Sequence, residues 1–162
     1  MKLKGIIKIC CVTLLIILFN YQAYSEENAF ERLSKAKSLK CYYSEGYTGI
    51  WNDGKLKISK GHFGTSEKDS TMVFDSIDLN KGTARLIGNQ GASDVIALAT
   101  PAGISFIEKT PAGYLMITTV FAYYKKGTDD FVCVYSRHFG AISQTKLGPM
   151  PSQWHGTCKI WE

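Results

Sequence analysis

The residues best suited to chemistry lie together near the C-terminal end, in Ser136-Arg137-His138. A serine beside a histidine base is the pairing of nucleophilic hydrolysis. Two positions apart in a strand, Ser136 and His138 share a face. That same spacing holds them about 6 to 7 Å apart, whereas a nucleophile needs its base at about 3 Å. No Gly-x-Ser-x-Gly elbow occurs in the chain. A hydrolase would need His138 to work with Ser136 or with a carboxylate from another strand; it stays an alternative, and no catalytic residue is assigned. His62, His138 and His155 have no Cys or His partner at metal-ligand spacing. Neither a metal nor a cofactor is expected. Asp75 and Asp78, three apart in one strand, should face opposite ways and so share neither a proton nor a cation.

Charges inside apolar runs are the stronger lead. Arg85 and Arg137 interrupt such runs, and Asp94 and Glu108 lie in neighbouring ones. A charge on a covered face must be paired or solvated in a cavity. The first outcome is an ion pair. The second is a lumen in which a small anionic or polar ligand meets Arg85, Arg137 and His138. Aromatic residues form another group. Tyr42, Tyr43, Tyr47 and Trp51 follow Cys41, while Trp154 and Trp161 flank Cys158. A bond between those cysteines would bring the group together, either as packing or as a surface of Tyr42, Tyr47 and Trp51 that grips a sugar ring or a protein.

These side chains need a scaffold. Ala29, Phe30, Leu33, Ala36 and Leu39 recur at helical spacing and predict one N-terminal helix. From Cys41 onward the apolar runs are short, rich in β-branched and aromatic residues, and closed by Gly, Pro, Asn or Asp, which is the strand-and-turn pattern. Asn52-Asp53-Gly54 and Asn80-Lys81-Gly82 each separate two such runs as hairpin turns. Thr100-Pro101-Ala102-Gly103 recurs as Thr110-Pro111-Ala112-Gly113 and brackets the run Ile104–Glu108. Paired turns around so short a run leave no room for a helical crossover, so the strands must return antiparallel. Lys60–Ser70 and Gln144–Gln153, the latter with Pro149 and Pro151, read as loops.

The expectation is a mainly β domain. About eight strands form an antiparallel up-and-down meander that closes into a barrel or half-barrel, since closure removes sticky edges. A two-sheet sandwich is the alternative. The run 114–124 is apolar on both faces, and the N-terminal helix should cover one of them. By strand count alone the architecture resembles the calycin-type barrels, an analogy of fold that carries no function.

Residues 1–25 read as a cleaved secretory signal: Lys2, Lys4 and Lys8, then the apolar run Ile9–Phe19, then Ala23-Tyr24-Ser25 with small residues at the two recognition positions. The run is shorter than the about 20 residues a spanning helix needs. The single domain is then 26–162, with no stable membrane insertion after cleavage. Three of the nineteen basic residues and none of the fourteen acidic ones fall in the signal. The remainder therefore carries sixteen basic against fourteen acidic residues, a net charge of +2 that calls for no nucleic acid. Cys41, Cys133 and Cys158 remain. An oxidising compartment favours a bridge, and Cys41–Cys158 would tie the two ends together, with Cys133 a buried thiol. The functional expectation is a periplasmic or secreted monomer that binds a small ligand or an envelope component without catalysis. A surface-contact inhibitor is the further alternative. N-terminal sequencing of the exported protein should start at Glu26; a start at Met1 would refute the signal reading.

Overall fold

The computed structural model describes residues 29–88, 91–140 and 148–162, so the signal segment 1–25 lies outside the described residues. Helix α1 (29–35) is followed by β1 (Leu39–Asn52), β2 (Lys55–His62), β3 (Thr71–Asp78), β4 (Thr83–Gly88) and β5 (Gly91–Thr100). Then come β6 (Gly103–Lys109), β7 (Leu115–Tyr124), β8 (Phe131–Phe139) and β9 (Met150–Ile160). Each strand from β3 to β9 pairs antiparallel with the next, and β9 returns to pair with β1. Eight strands thus form a closed barrel, and β2 is an extra strand held by β1 alone among the described residues. Neither a half-barrel nor a sandwich forms, because β1 and β9 meet along most of their length.

Local chemistry explains the turns. Asp53 (φ 49°) and Gly54 (φ 73°) both occupy the left-handed region, the two-residue turn whose twist matches a hairpin. At the first Pro-Ala-Gly turn, a Cβ on Gly103 would lie 2.0 Å from the carbonyl oxygen of Val120. Only glycine lets β6 start that close to β7.

Side chains alternate between an apolar interior and a mixed exterior. Phe74 and Phe106 stack at 4.1 Å across the interior, both almost fully buried. Removing an aromatic side chain of this kind from a core costs about 3 to 5 kcal/mol. Phe63, on the chain between β2 and β3, packs edge-on against Tyr43, Tyr135 and Trp154. Cys41 and Cys158 face each other across β1 and β9 and are bonded, 117 residues apart in sequence. Cys133 is free and buried.

Several expectations are corrected. The helix ends at residue 35, and Leu39 opens β1 opposite Phe74 and Ile160. Helix face and inward strand position both demand an apolar residue there, and ladder pairing decides between them. The helix covers no outer face of β7. Its Ala29 and Leu33, with Ala36 just beyond it, join the interior cluster, and Arg32 lies 5.6 Å from the Tyr124 ring, so α1 stoppers the end where β7 finishes and β8 begins. Leu115 and Tyr123 stay exposed on that outer face. Met150–Gln153 belong to β9 rather than to a loop, with Pro151 opposite His138. Proline's φ suits an extended chain, so only its missing N–H is lost to the ladder. β2 runs on to His62 because β1 extends far enough to pair with it.

The interior cysteines make a count possible. For the chain from residue 26, a thiol reagent should find no reactive thiol in the native protein. It should find one in denaturant and three in denaturant with reductant, the last two steps following from one buried thiol and one bridge. A native protein that reacts rapidly at one thiol would contradict the burial of Cys133.

Candidate functional site

The alternation of β8 sorts the C-terminal cluster. Phe131, Cys133 and Tyr135 are buried inside the barrel, and Arg137 follows them on the same face. Ser136 and His138 point outward. Ser136 Oγ accepts a hydrogen bond from Gln153 Nε2 (3.3 Å), and His138 is exposed between Leu115 and Pro151 of the flanking strands. Among the described residues no carboxylate hydrogen-bonds His138.

Arg137 lies at the barrel end opposite α1, which we call the mouth. Strand register places it in an inward-facing row that runs Ser59, Thr48, Ser152, Arg137, Met116, Glu108 across six adjacent strands. Its guanidinium carbon lies 4.2 Å from the centroid of Trp154 and 4.9 Å from that of Phe139. Cation–aromatic contacts of this kind are worth about 0.5 to 2 kcal/mol. They solvate the charge only partly. Arg137 Nε is enclosed and has no hydrogen-bond partner among the described residues. Burial pulls the guanidinium below its ordinary value, and the neighbouring Tyr135 opposes that.

Glu108, at the far end of the row, accepts a hydrogen bond from Ser93 Oγ (3.3 Å) and forms no ion pair with Arg137. The segment 141–147 that joins β8 to β9 is Ala-Ile-Ser-Gln-Thr-Lys-Leu and contains no carboxylate. A second enclosed side-chain atom without a partner among the described residues, the Tyr124 hydroxyl, sits at the helix-stoppered end, where Arg32 lies over its ring.

Arg85 is elsewhere. Ala84 and Leu86 point into the barrel, so Arg85 points out. Its Nε and Nη2 donate to the two Asp75 carboxylate oxygens at 2.9 and 2.7 Å. Asp94 faces it from β5. The barrel wall therefore separates Arg85 from Arg137, and Arg85 has the ion pair that Arg137 lacks. Arg85 lines an open groove of about 770 Å³ on the outer wall, with Ile96, Ile107, Lys109 and Leu115. A bulge between Asp75 and Asp78, with Ser76 at φ 52°, turns both carboxylates outward instead of to opposite faces. Asp78 accepts from the backbone N–H groups of Asn80 and Lys81 and closes that turn.

The aromatic group divides in the same way. Tyr43 and Trp154 are interior, whereas Tyr42, Tyr47 and Trp51 lie on the outer face of β1, each about half exposed. The pairing of β1 with β9 shifts between Tyr43 and Gly46. Without that irregularity, positions 42 and 47 would fall on opposite faces. Trp161 is also exposed, beside Lys40. The sulfur atoms of Cys41, Cys133 and Cys158 lie within 4.8 Å of one another. Two of them are bonded, and burial pushes the Cys133 thiol up to about 12. A protonated thiol is a poor ligand, since metals bind the thiolate.

No family model, curated protein or solved structure matches this chain. Among the described residues no helix is long and apolar enough to cross a membrane. The site must be read from its own geometry, and Thr48, Ser93 and Ser152 enter only through register. Ser152 was hidden because the two prolines masked the start of β9.

The outer pair yields a pH test. Hydrogen bonding from Arg85 holds the Asp75 carboxyl below its usual range. A depressed folded-state value stabilises the fold above the unfolded value, and that contribution fades as pH falls through the folded one. Arg85→Gln should therefore lower the urea midpoint slightly near neutral pH and by less at about pH 2, as the contribution of the pair fades below the usual carboxylate range. An equal loss at both pH values would show that the pair is not the cause.

Proposed function

We propose that the protein is an exported, non-enzymatic binding module that takes a small anionic group, a carboxylate or phosphate, on Arg137 at the mouth of its barrel. The observation that carries this reading is the enclosed Nε of Arg137, a charged donor with no partner among the described residues. A buried donor left unmade costs about 1 to 3 kcal/mol, more when it is charged, and a planar guanidinium presents a fork that matches a carboxylate or phosphate. Ser152, beside it in the row, donates its hydroxyl to the Met150 carbonyl oxygen (3.4 Å), and Thr48, one strand further, adds a second hydroxyl. The interior below is filled by Trp154, Tyr135 and Phe63. The ligand therefore sits at the mouth rather than deep in the lumen, as the acid group of a small molecule or of an envelope component. The leader-like segment 1–25 and the Cys41–Cys158 bridge support export.

Thermal unfolding with added phosphate, and separately with citrate, tests the proposal. A ligand that binds only the folded state stabilises it by mass action, on the order of 5 to 10 °C near saturation for a domain of this size. The rise should be absent in Arg137→Gln and kept in Arg85→Gln, whose arginine lies on the other side of the wall. No rise in the wild type, or an equal rise in Arg137→Gln, would overturn the assignment.

A further inference from the structure

Strand β1 uses one edge twice. Residues Leu39–Tyr42 pair there with β3, and Glu45–Asn52 pair with β2. β2 therefore stands where β3 would have continued, and its far edge meets no described strand. That edge is a row of backbone donors and acceptors available to another extended chain. Every residue of β2 is exposed.

The two faces of β2 differ in chemistry. Leu56 and Ile58 point outward, where Leu56 pairs across the strands with Trp51. All three are exposed, Ile58 to 64%. Lys55 and Lys57 lie on the opposite face, across from Asn52 and Ile50, with no ion pair among the described residues. Lys60 is paired with Glu45, and β2 contains no acidic residue. A second copy added edge to edge would bring lysines beside lysines, which is how natural edges reject their own kind. The same lysines attract an acidic strand.

We propose that the free edge of β2 accepts an extended segment of a partner protein in which acidic and apolar residues alternate. The acidic side chains would lie against Lys55 and Lys57, and the apolar ones against Leu56 and Ile58. Lys55 and Lys57 share the face of Ser59, which lies three strands from Arg137 in the mouth row, and the proposal does not rest on Arg137.

The probe is a peptide of about ten residues alternating glutamate and valine, with a lysine–valine peptide as control, a length that spans one added strand. Calorimetry at low salt should detect the glutamate peptide and not the control. Binding should weaken by about tenfold or more in the double variant Lys55→Glu, Lys57→Glu, because opposed charges are replaced by like ones. It should also weaken in Ile58→Asp and remain unchanged in Arg85→Gln, whose arginine is already paired with Asp75. Hydrogen exchange should slow at the amides of β2 when the peptide binds. No binding, equal binding to the double variant, loss of binding in Arg85→Gln, or protection confined to other strands would each overturn the proposal. So would tight binding of wild-type protein to phosphatidylglycerol vesicles with none to the peptide, which would make the lysines a lipid contact.

Discussion

Leu39, Lys40 and Cys41 lie beside Ile160, Lys159 and Cys158, and this ladder between the first and last strands turns a meander into a closed wall. In an open sheet both β1 and β9 would present raw edges, and the interior aromatics would have no far side to pack against. Chain entropy opposes the contact, because its partners are separated by 117 residues. The bridge removes much of that opposition, about 5 kcal/mol in the loop-closure account. Tyr43, Phe106 and Phe131 can all be buried only once this seam exists.

The seam also fixes the phase of the wall, and two irregularities then adjust it. The shift in β1 between Tyr43 and Gly46 keeps Cys41 and Tyr43 inside while leaving Tyr47 outside. The bulge in β3 keeps Phe74 and Ile77 inside and moves Ser76 and both neighbouring aspartates out. The first lies where β1 exchanges β3 for β2, and the second lies past the Leu39–Phe74 pair, at the other end of the β1–β3 ladder. Added residues in a strand bend it and increase its twist. Such bending lets a fourteen-residue β1 serve the barrel along one part and an outlying hairpin along the other.

How much of this could be read from residues alone follows from range. Asp53-Gly54, the repeated Thr-Pro-Ala-Gly turns and the alternation of Ser136, Arg137 and His138 are local signals, and the strands they announce formed. The barrel was legible from their number and order, and the bridge from the terminal placement of Cys41 and Cys158. Long-range matters were not legible. Whether Leu39 ends a helix or starts a strand depends on Phe74 and Ile160 across the seam. The phase of Asp78 depends on a bulge that no local residue announces. That Arg85 faces out was available in the alternation of Thr83, Ala84, Arg85 and Leu86. That Asp75 pairs with it required register. At the mouth, the inward turn of Arg137 follows from Tyr135 two residues earlier, but its company, Ser152 and Thr48, required knowing where β9 begins.

The distribution of polarity across the wall has its own consequence. Apolar side chains are concentrated within, around the Phe74–Phe106 stack, and the outer surface carries the ladder Asp75, Arg85, Asp94 on three successive strands. Barrels that face lipid are built the other way, with an apolar belt outside and polar groups around an aqueous lumen. Here hydrocarbon would strip the hydration from three adjacent charges. With one end stoppered by α1 and the centre filled by rings, nothing can pass along the axis. Among the described residues one end is closed by α1, so a solute bound at Arg137 would enter and leave by the opposite rim.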